Sequence, residues 1–317
     1  MIGGSRPADR PAGPAPSGQT PSPVCAPGAY VGRFAPSPTG PLHLGSLVAA
    51  VGSYLDARRN NGRWLVRVED LDTPRVIPGC STEILRTLEL FGLHWDGEVE
   101  HQSRHSQRYA TALEELRSRG LTFECSCSRR ERSNTGDTGY PGTCRHGPTR
   151  PGPTATRFRV DDSSVQLEDR LQGSCRFELR ALGDPIVRRR DGVFAYQLAV
   201  AVDDARQGIT DVVRGADLLE STAWQIALQG ALGVITPSYG HLPLVVEPLH
   251  GKLAKSRRSL AVGMRPTPQL VAALRLLQHP PPAELTSATP LELLAWATNS
   301  WLPQRLRGVR TVTLHTS

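Results

Sequence analysis

The stretch Val31-Gly-Arg-Phe-Ala-Pro-Ser-Pro-Thr-Gly-Pro-Leu-His43-Leu-Gly45-Ser46 joins a short apolar run to a Pro/Gly-rich turn, and a histidine and a glycine then open an apolar segment. The pattern predicts a strand, a turn and a helix start, a junction that presents unpaired helix N–H groups to phosphate. Such a turn is also common punctuation, and a histidine in this place also serves as a cap. Its surroundings decide. Leu47 to Arg59 has helical apolar spacing and a basic end, Asn60-Asn-Gly62 breaks it, and Arg63 to Glu69 alternates like a strand. Strand, helix and strand in this order predict a right-handed crossover in a nucleotide-binding, Rossmann-like parallel α/β sheet.

The chain has 317 residues, enough for one large or two modest domains. Its 37 Lys+Arg outweigh 30 Asp+Glu, a formal charge of +7 that suits a polyanionic partner. No apolar run reaches membrane-spanning length, and the Pro/Gly/Ser/Ala-rich start lacks the basic and apolar regions of a signal peptide. Residues 1–28 are therefore expected as a disordered tail, and the protein as cytoplasmic.

Ser81–Phe91 and Ser106–Arg117 read as amphipathic helices. The turn-rich stretch 121–152 carries three cysteines and reads as an insertion. Pattern resumes at Thr156–Val160. Leu198–Asp204 is predicted as a buried strand, Ile209–Arg214 as another, and Asp217–Leu232 as a helix. Two helical segments follow Leu260, around 268–278 and 290–306. The resulting division is a tail (1–28), a first catalytic half (29–118), an insertion (119–155), a second half (156–262) and a short helical region (263–317).

Arg33, Glu69 and Arg214 fall at the ends of predicted strands, which converge on one crevice in a parallel sheet. Two guanidinium forks and one carboxylate complement a molecule with two carboxylates and one ammonium, which is glutamate. Which arginine takes which carboxylate is open at this level. Cys125, Cys127 and Cys144 suit a structural zinc, with Tyr140 and His146 both available as the fourth ligand. The run from Lys252 to Arg258 follows the last predicted strand, where lysines meet phosphate; elsewhere such a run is a solvated face.

Arg33-Phe-Ala-Pro-Ser37, Arg67-Val-Glu-Asp-Leu-Asp72, Tyr196 to Asp204 and Asp211-Val-Val-Arg214 resemble, in order, the blocks of the glutamyl branch of class I aminoacyl-tRNA synthetases. His43-Leu-Gly45 resembles that family's first signature and Lys252-Leu-Ala-Lys255-Ser256 its lysine loop. The resemblance implies a glutamate pocket of Arg33, Ala35, Ser37, Glu69, Tyr196 and Arg214. It implies an ATP site of His43, Gly45, Ser46 and Lys255, with Mg²⁺, and catalysis by His43, Gly45, Lys252 and Lys255. Ala254 departs from the family's serine, which removes one hydroxyl and leaves the cationic part; a weaker loop is expected, not a dead enzyme.

Cys-x-Cys followed by Tyr-x₃-Cys resembles the short, tRNA-modifying glutamyl-Q branch, and this resemblance selects Tyr140 as the fourth ligand of one structural zinc. After Leu260 only about 55 residues follow, too few for the anticodon-reading region of a full glutamyl-tRNA synthetase. The branch activates L-glutamate with ATP without tRNA, then transfers it to the queuosine base at the wobble position of tRNA(Asp). A monomer is expected. The alternatives are a truncated glutamyl-tRNA synthetase charging tRNA 3′ ends and, in another class, a non-catalytic zinc-containing RNA-binding protein, which Ala254 favours. A small-molecule nucleotidyltransferase is disfavoured by Arg33, Glu69 and Arg214 together.

Overall fold

A computed structural model describes residues 29–128, 131, 139–247, 251–252, 262–263 and 265–314, with backbone alone at 247, 251 and 252. The expected tail, and Ala254 and Lys255 of the lysine loop, lie outside the described residues.

Strand β1 (Val31–Phe34) is buried along its whole length and leads through the Pro/Gly turn into helix α1 (Leu44–Arg59). Strand β2 (Arg63–Val68) returns parallel to β1, with Val31 opposite Arg63 and Phe34 opposite Val66. The crossover expected from the opening stretch is thus present. After helix α2 (Cys80–Leu90), strand β3 (Glu100–His101) extends the sheet in parallel, and helix α3 (Ser106–Ser118) follows.

Strand β4 (Thr122–Cys125) pairs antiparallel with β5 (Ala155–Phe158). A hairpin of β6 (Ser164–Asp169) and β7 (Gly173–Glu178) and a short helix α4 (Leu179–Leu182) come next. Strand β8 (Ile186–Arg188) then joins the other edge of β5. The cysteine-bearing segment is therefore hydrogen-bonded to the chain that follows it.

Helix α5 (Tyr196–Arg206) replaces the strand predicted over Leu198–Asp204. Leu198, Ala199, Val200, Ala201, Asp203 and Asp204 are all buried, so the run lacks the polar face that reveals helical periodicity. Gly208, just past the C-cap residue Gln207, adopts φ 65° and stops the helix.

Strand β9 (Asp211–Gly215) starts beside β1, where the Thr210 N–H donates to the Val31 carbonyl at 3.0 Å. Helix α6 (Leu219–Ala231) then crosses to β10 (Ser238–Leu242), parallel to β9. Strand β11 (Leu244–Glu247) pairs antiparallel with the two-residue β12 (Gly251–Lys252). Helices α7 (Pro266–Leu276) and α8 (Pro290–Ser300) bear out the two predicted segments; a Thr289/Glu292 capping box fixes the start of α8. Strand β13 (Thr311–Thr313), absent from the sequence reading, pairs parallel with β11.

The main core surrounds α1. Leu47, Val51 and Leu55 are fully buried, and Leu270, Leu274, Leu293 and Trp301 belong to the same cluster as Trp64 and Val66. Trp64 Nε1 donates to Ser53 Oγ and Trp301 Nε1 to Asp56 Oδ1, so one side of α1 is tied by two indole bonds. Asp56 also accepts from Tyr30 and Arg170, which satisfies a carboxylate that burial would otherwise penalise. The segment after 263 therefore completes the core around α1.

Candidate active site and metal centre

Arg33 on β1 and Arg67 on β2 are buried cations within otherwise apolar strands. Taking a guanidinium out of water is tolerated only with a matched anion. Helix α5 supplies two. Asp204 receives Arg33 Nε at 3.2 Å and Nη2 at 3.3 Å, and Arg67 Nη1 lies 2.8 Å from Asp204 Oδ1. Asp203 lies 3.8 Å from Arg67 Nε and accepts from Gln102 at 2.7 Å and Tyr109 at 2.8 Å. The burial of Asp203 and Asp204 explains why an aspartate pair ends an apolar run.

Glu69 follows β2 at the same edge. Its Oε1 approaches Arg67 Nη2 to 3.5 Å, yet neither atom has a hydrogen-bond partner among the described residues. Burial pushes the Glu69 carboxyl up to about 7, against the opposing pull of Arg67 and Arg33. A buried acceptor without a donor is a place prepared for one.

Arg214 on β9 is also buried, but its partners are neutral. It donates to Tyr196 Oη at 3.1 Å, Thr222 Oγ1 at 2.8 Å, Gln225 Oε1 at 2.7 Å and His241 Nε2 at 3.3 Å. Among the described residues no carboxylate lies within ion-pair distance of it. Tyr196 sits at the first turn of α5, where burial raises its pKa and the charges of Arg214, Glu69 and Arg33 all reach it. The sequence-predicted Arg33, Glu69, Tyr196 and Arg214 thus converge. Ala35 is half-buried and Ser37 exposed in the turn after β1.

His43 is the N-cap of α1. Its Nδ1 accepts the Ser46 N–H at 3.2 Å and its Nε2 lies 3.0 Å from Ser46 Oγ. A Cβ on Gly45 would stand 3.2 Å from the His43 ring, so glycine leaves room for the imidazole to lie against the first turn. That turn ends at the C-terminal edge of β1, the place where a parallel sheet binds phosphate. Lys252 lies on β12.

Cys125, Cys127 and Cys144 place their sulfurs within 4.8 Å of one another, and Cys127 and Cys144 are 3.5 Å apart. Two thiolates on one tetrahedral zinc stand about 3.8 Å apart, so the spacing fits the ion. The Tyr140 hydroxyl lies 3.5 Å from Cys125 Sγ and 3.8 Å from Cys127 Sγ. His146 is exposed and outside the cluster, so of the two fourth ligands open from the residues alone Tyr140 is the one beside the thiols. Burial opposes ionisation of Cys144, but hydrogen bonds from Tyr140 and from the Ser126 backbone pull its thiol down to about 6. A thiol already ionised at neutral pH is a metal ligand in waiting. The Arg157 guanidinium lies 3.8 Å over the Tyr140 ring, adding a cation beside the donors.

The sequence reading missed Arg67, Asp203, Asp204, Thr222, Gln225 and His241. An arginine inside an apolar strand, and two aspartates at the end of an apolar run, are the signals that mark the first three.

The sequence profile described as "tRNA synthetases class I (E and Q), catalytic domain" matches residues 30–267. The chain is 54% identical over 283 residues to the glutamyl-Q tRNA(Asp) synthetase of Thiobacillus denitrificans, covering 87% of this chain and 94% of the relative. It is 50% identical over 286 residues to the protein of that name from Ectopseudomonas mendocina, covering 90% and 97%. The chain belongs to this family. It is a ligase of the aminoacyl-tRNA synthetase type, as the opening motifs implied. The glutamate-tRNA synthetase of Elizabethkingia anophelis superposes with a TM-score of 0.74 at 24% identity, covering 90% of this chain and 68% of that one. That likeness confirms the class I α/β fold. No helix among the described residues is long and apolar enough to cross a membrane.

Proposed function

We propose that the protein activates L-glutamate with ATP in the absence of tRNA and transfers the glutamyl group to the queuosine base of tRNA(Asp). The observation that carries this reading is Arg214, a buried cation held by neutral partners, beside Glu69, a buried carboxylate whose Oε1 lacks a donor. A ligand carboxylate at Arg214 and a ligand ammonium at Glu69 would satisfy both. Arg33 is already neutralised by Asp204, which makes Arg214 the stronger anchor and leaves Arg33 to shape the field.

In this reading a glutamate carboxylate oxygen attacks the α-phosphorus of ATP and pyrophosphate leaves. His43 and the first turn of α1 bind phosphate, with Ser46 and Gly45 shaping that turn. Lys252 and Lys255 supply the cationic part, and Mg²⁺ accompanies ATP. Ala35 and Ser37 line the mouth of the pocket. Cys125, Cys127, Tyr140 and Cys144 would hold one structural zinc, which would cross-link a segment that has little core of its own. The names of the relatives support tRNA(Asp) as the acceptor. The reading keeps the five-part division of the chain, the catalytic halves 29–118 and 156–262 flanking the 119–155 insertion, and a monomer acting in the cytoplasm.

Glutamate-dependent ATP–pyrophosphate exchange without tRNA tests the first step, and its absence would end the reading. Nuclease mapping of labelled glutamate on tRNA tests the second. Label on the wobble nucleoside supports it; label solely on the terminal adenosine selects the alternative of a truncated glutamyl-tRNA synthetase.

A further inference from the structure

Behind Arg214 lies a buried chain of two further residues. His241 on β10 is fully buried, and its Nε2 meets Arg214 Nε at 3.3 Å and Thr222 Oγ1 at 3.0 Å. Its Nδ1 lies 2.5 Å from Asp169 Oδ2. Asp169, the last residue of β6, is itself fixed: its Oδ1 accepts the N–H groups of Leu171, Gln172 and His241 at 2.9, 2.8 and 3.1 Å. The ring of His241 stacks on Tyr239 with centroids 6.0 Å apart and planes 9° apart. Position and plane of the imidazole are thus determined from three sides.

At the Arg214 contact the proton inventory has one solution, in which the Thr222 hydroxyl proton is shared between Nε2 and the Leu218 carbonyl, each 3.0 Å from Thr222 Oγ1. Arg214 Nε–H is a donor without a lone pair, so Nε2 must present its lone pair to it. The single ring proton then resides on Nδ1, facing Asp169. An aspartate on one ring nitrogen fixes which nitrogen accepts on the other side, the same logic by which a buried carboxylate sets a histidine tautomer in a hydrolase triad.

We propose that Asp169 and His241 are positioning residues for the glutamate pocket: Asp169 holds His241 in the Nδ1–H tautomer, and His241 Nε2 orients the guanidinium of Arg214 toward the substrate carboxylate. The inference rests on the reading of Arg214 as a glutamate-binding residue. The other partners of Arg214 are a phenol, a hydroxyl and an amide, none of which accepts from Nε. Remove the acceptor at Nε and a buried N–H is left without a partner, which weakens the hold on the guanidinium plane. The cost should appear in glutamate binding and not in ATP binding.

The test is glutamate-dependent ATP–pyrophosphate exchange with the full chain, comparing Asp169→Asn, His241→Asn, His241→Gln and Arg214→Ala. Asparagine at 241 retains a group near Nδ1 but offers nothing at the Nε2 position, whereas glutamine reaches it. Asp169→Asn and His241→Asn are expected to raise the KM for glutamate about tenfold with the KM for ATP within about twofold, and His241→Gln to recover most of the loss. If Arg214→Ala raises the glutamate KM while Asp169→Asn and His241→Asn do not, the positioning role fails and the pocket stands. An unchanged glutamate KM in Arg214→Ala removes the pocket reading itself. A parallel rise in both KM values, with glutamine no better than asparagine, assigns the pair to folding and overturns the proposal. Should the Asp169 variant fail to fold, ¹⁵N NMR of the wild-type imidazoles decides: an Nδ1–H, Nε2-unprotonated ring assigned to His241 is expected, and an Nε2–H ring or an imidazolium overturns it.

Discussion

Arg33 and Asp204, 171 residues apart in the chain, meet side-on through Nε to Oδ1 and Nη2 to Oδ2 at 3.2 and 3.3 Å. The pair joins β1 to α5, and Arg67 draws β2 into the same anion. Removing Asp204 leaves two buried guanidinium groups with one fewer carboxylate, a change that costs about 3–5 kcal/mol when an ion pair is broken from one side. Asp204→Asn should therefore lower the urea midpoint strongly, and a midpoint within error of wild type would show that the pair is dispensable.

Arg214→Ala should raise the glutamate KM by roughly ten- to hundredfold, the loss of one charge-assisted contact, while ATP binding holds. Arg214→Lys should recover little, because an ammonium cannot reproduce contacts to Tyr196, Thr222, Gln225 and His241 at once. Steady-state exchange at varied glutamate measures both.

Glu69 makes glutamate binding depend on pH. Its folded-state pKa, about 7, lies above the ordinary carboxyl value, so the native state holds a proton that the unfolded state has released. Stability contributed by the protonated form is present in acid and is lost as pH rises through about 7. Binding runs the other way: the ligand ammonium needs the ionised form, so glutamate affinity should increase from pH 6 to pH 8. Calorimetric titration should show this rise, and Glu69→Gln should abolish it together with most of the affinity.

Zinc should bind at one equivalent, and Cys127→Ser should lose it. His146→Ala should retain full occupancy, since His146 is exposed and outside the cluster. Tyr140→Phe should bind zinc more weakly, having lost the phenol oxygen beside the thiols. Protons compete with zinc for the thiolates, so metal release should increase as pH falls. Metal content by atomic emission across the variants and pH values checks all five.

The strand ends were legible in the sequence because position in a parallel sheet follows from local pattern. Arg33 and Glu69 each abut a readable apolar strand, and the edge they share is set by the crossover alone. Helix α5 was not legible, since burial on all sides erases the periodicity that separates a helix from a strand. Its misreading concealed Asp203 and Asp204, because only helical geometry turns both carboxylates toward Arg67. His241 was hidden for a different reason: its partners Asp169 and Arg214 stand 72 and 27 positions away, and no local spacing encodes either contact. The choice of Tyr140 over His146 likewise needed the fold or a resemblance, since histidine is the commoner ligand.

The turn after Asp169 has one more set of bonds. Gln172 Nε2 donates to the carbonyls of both His241 and Val309, at 2.7 and 3.0 Å, and the Gly308 N–H donates to the Leu171 carbonyl at 2.8 Å. The turn that fixes Asp169 is thus braced by residues made well after it. A nascent chain that has exposed Asp169, Arg214 and His241 still lacks that brace until Gly308 and Val309 leave the ribosome. Synthesis order and pocket assembly are therefore linked, and a chain made only as far as His241 has the charges of the pocket without its frame.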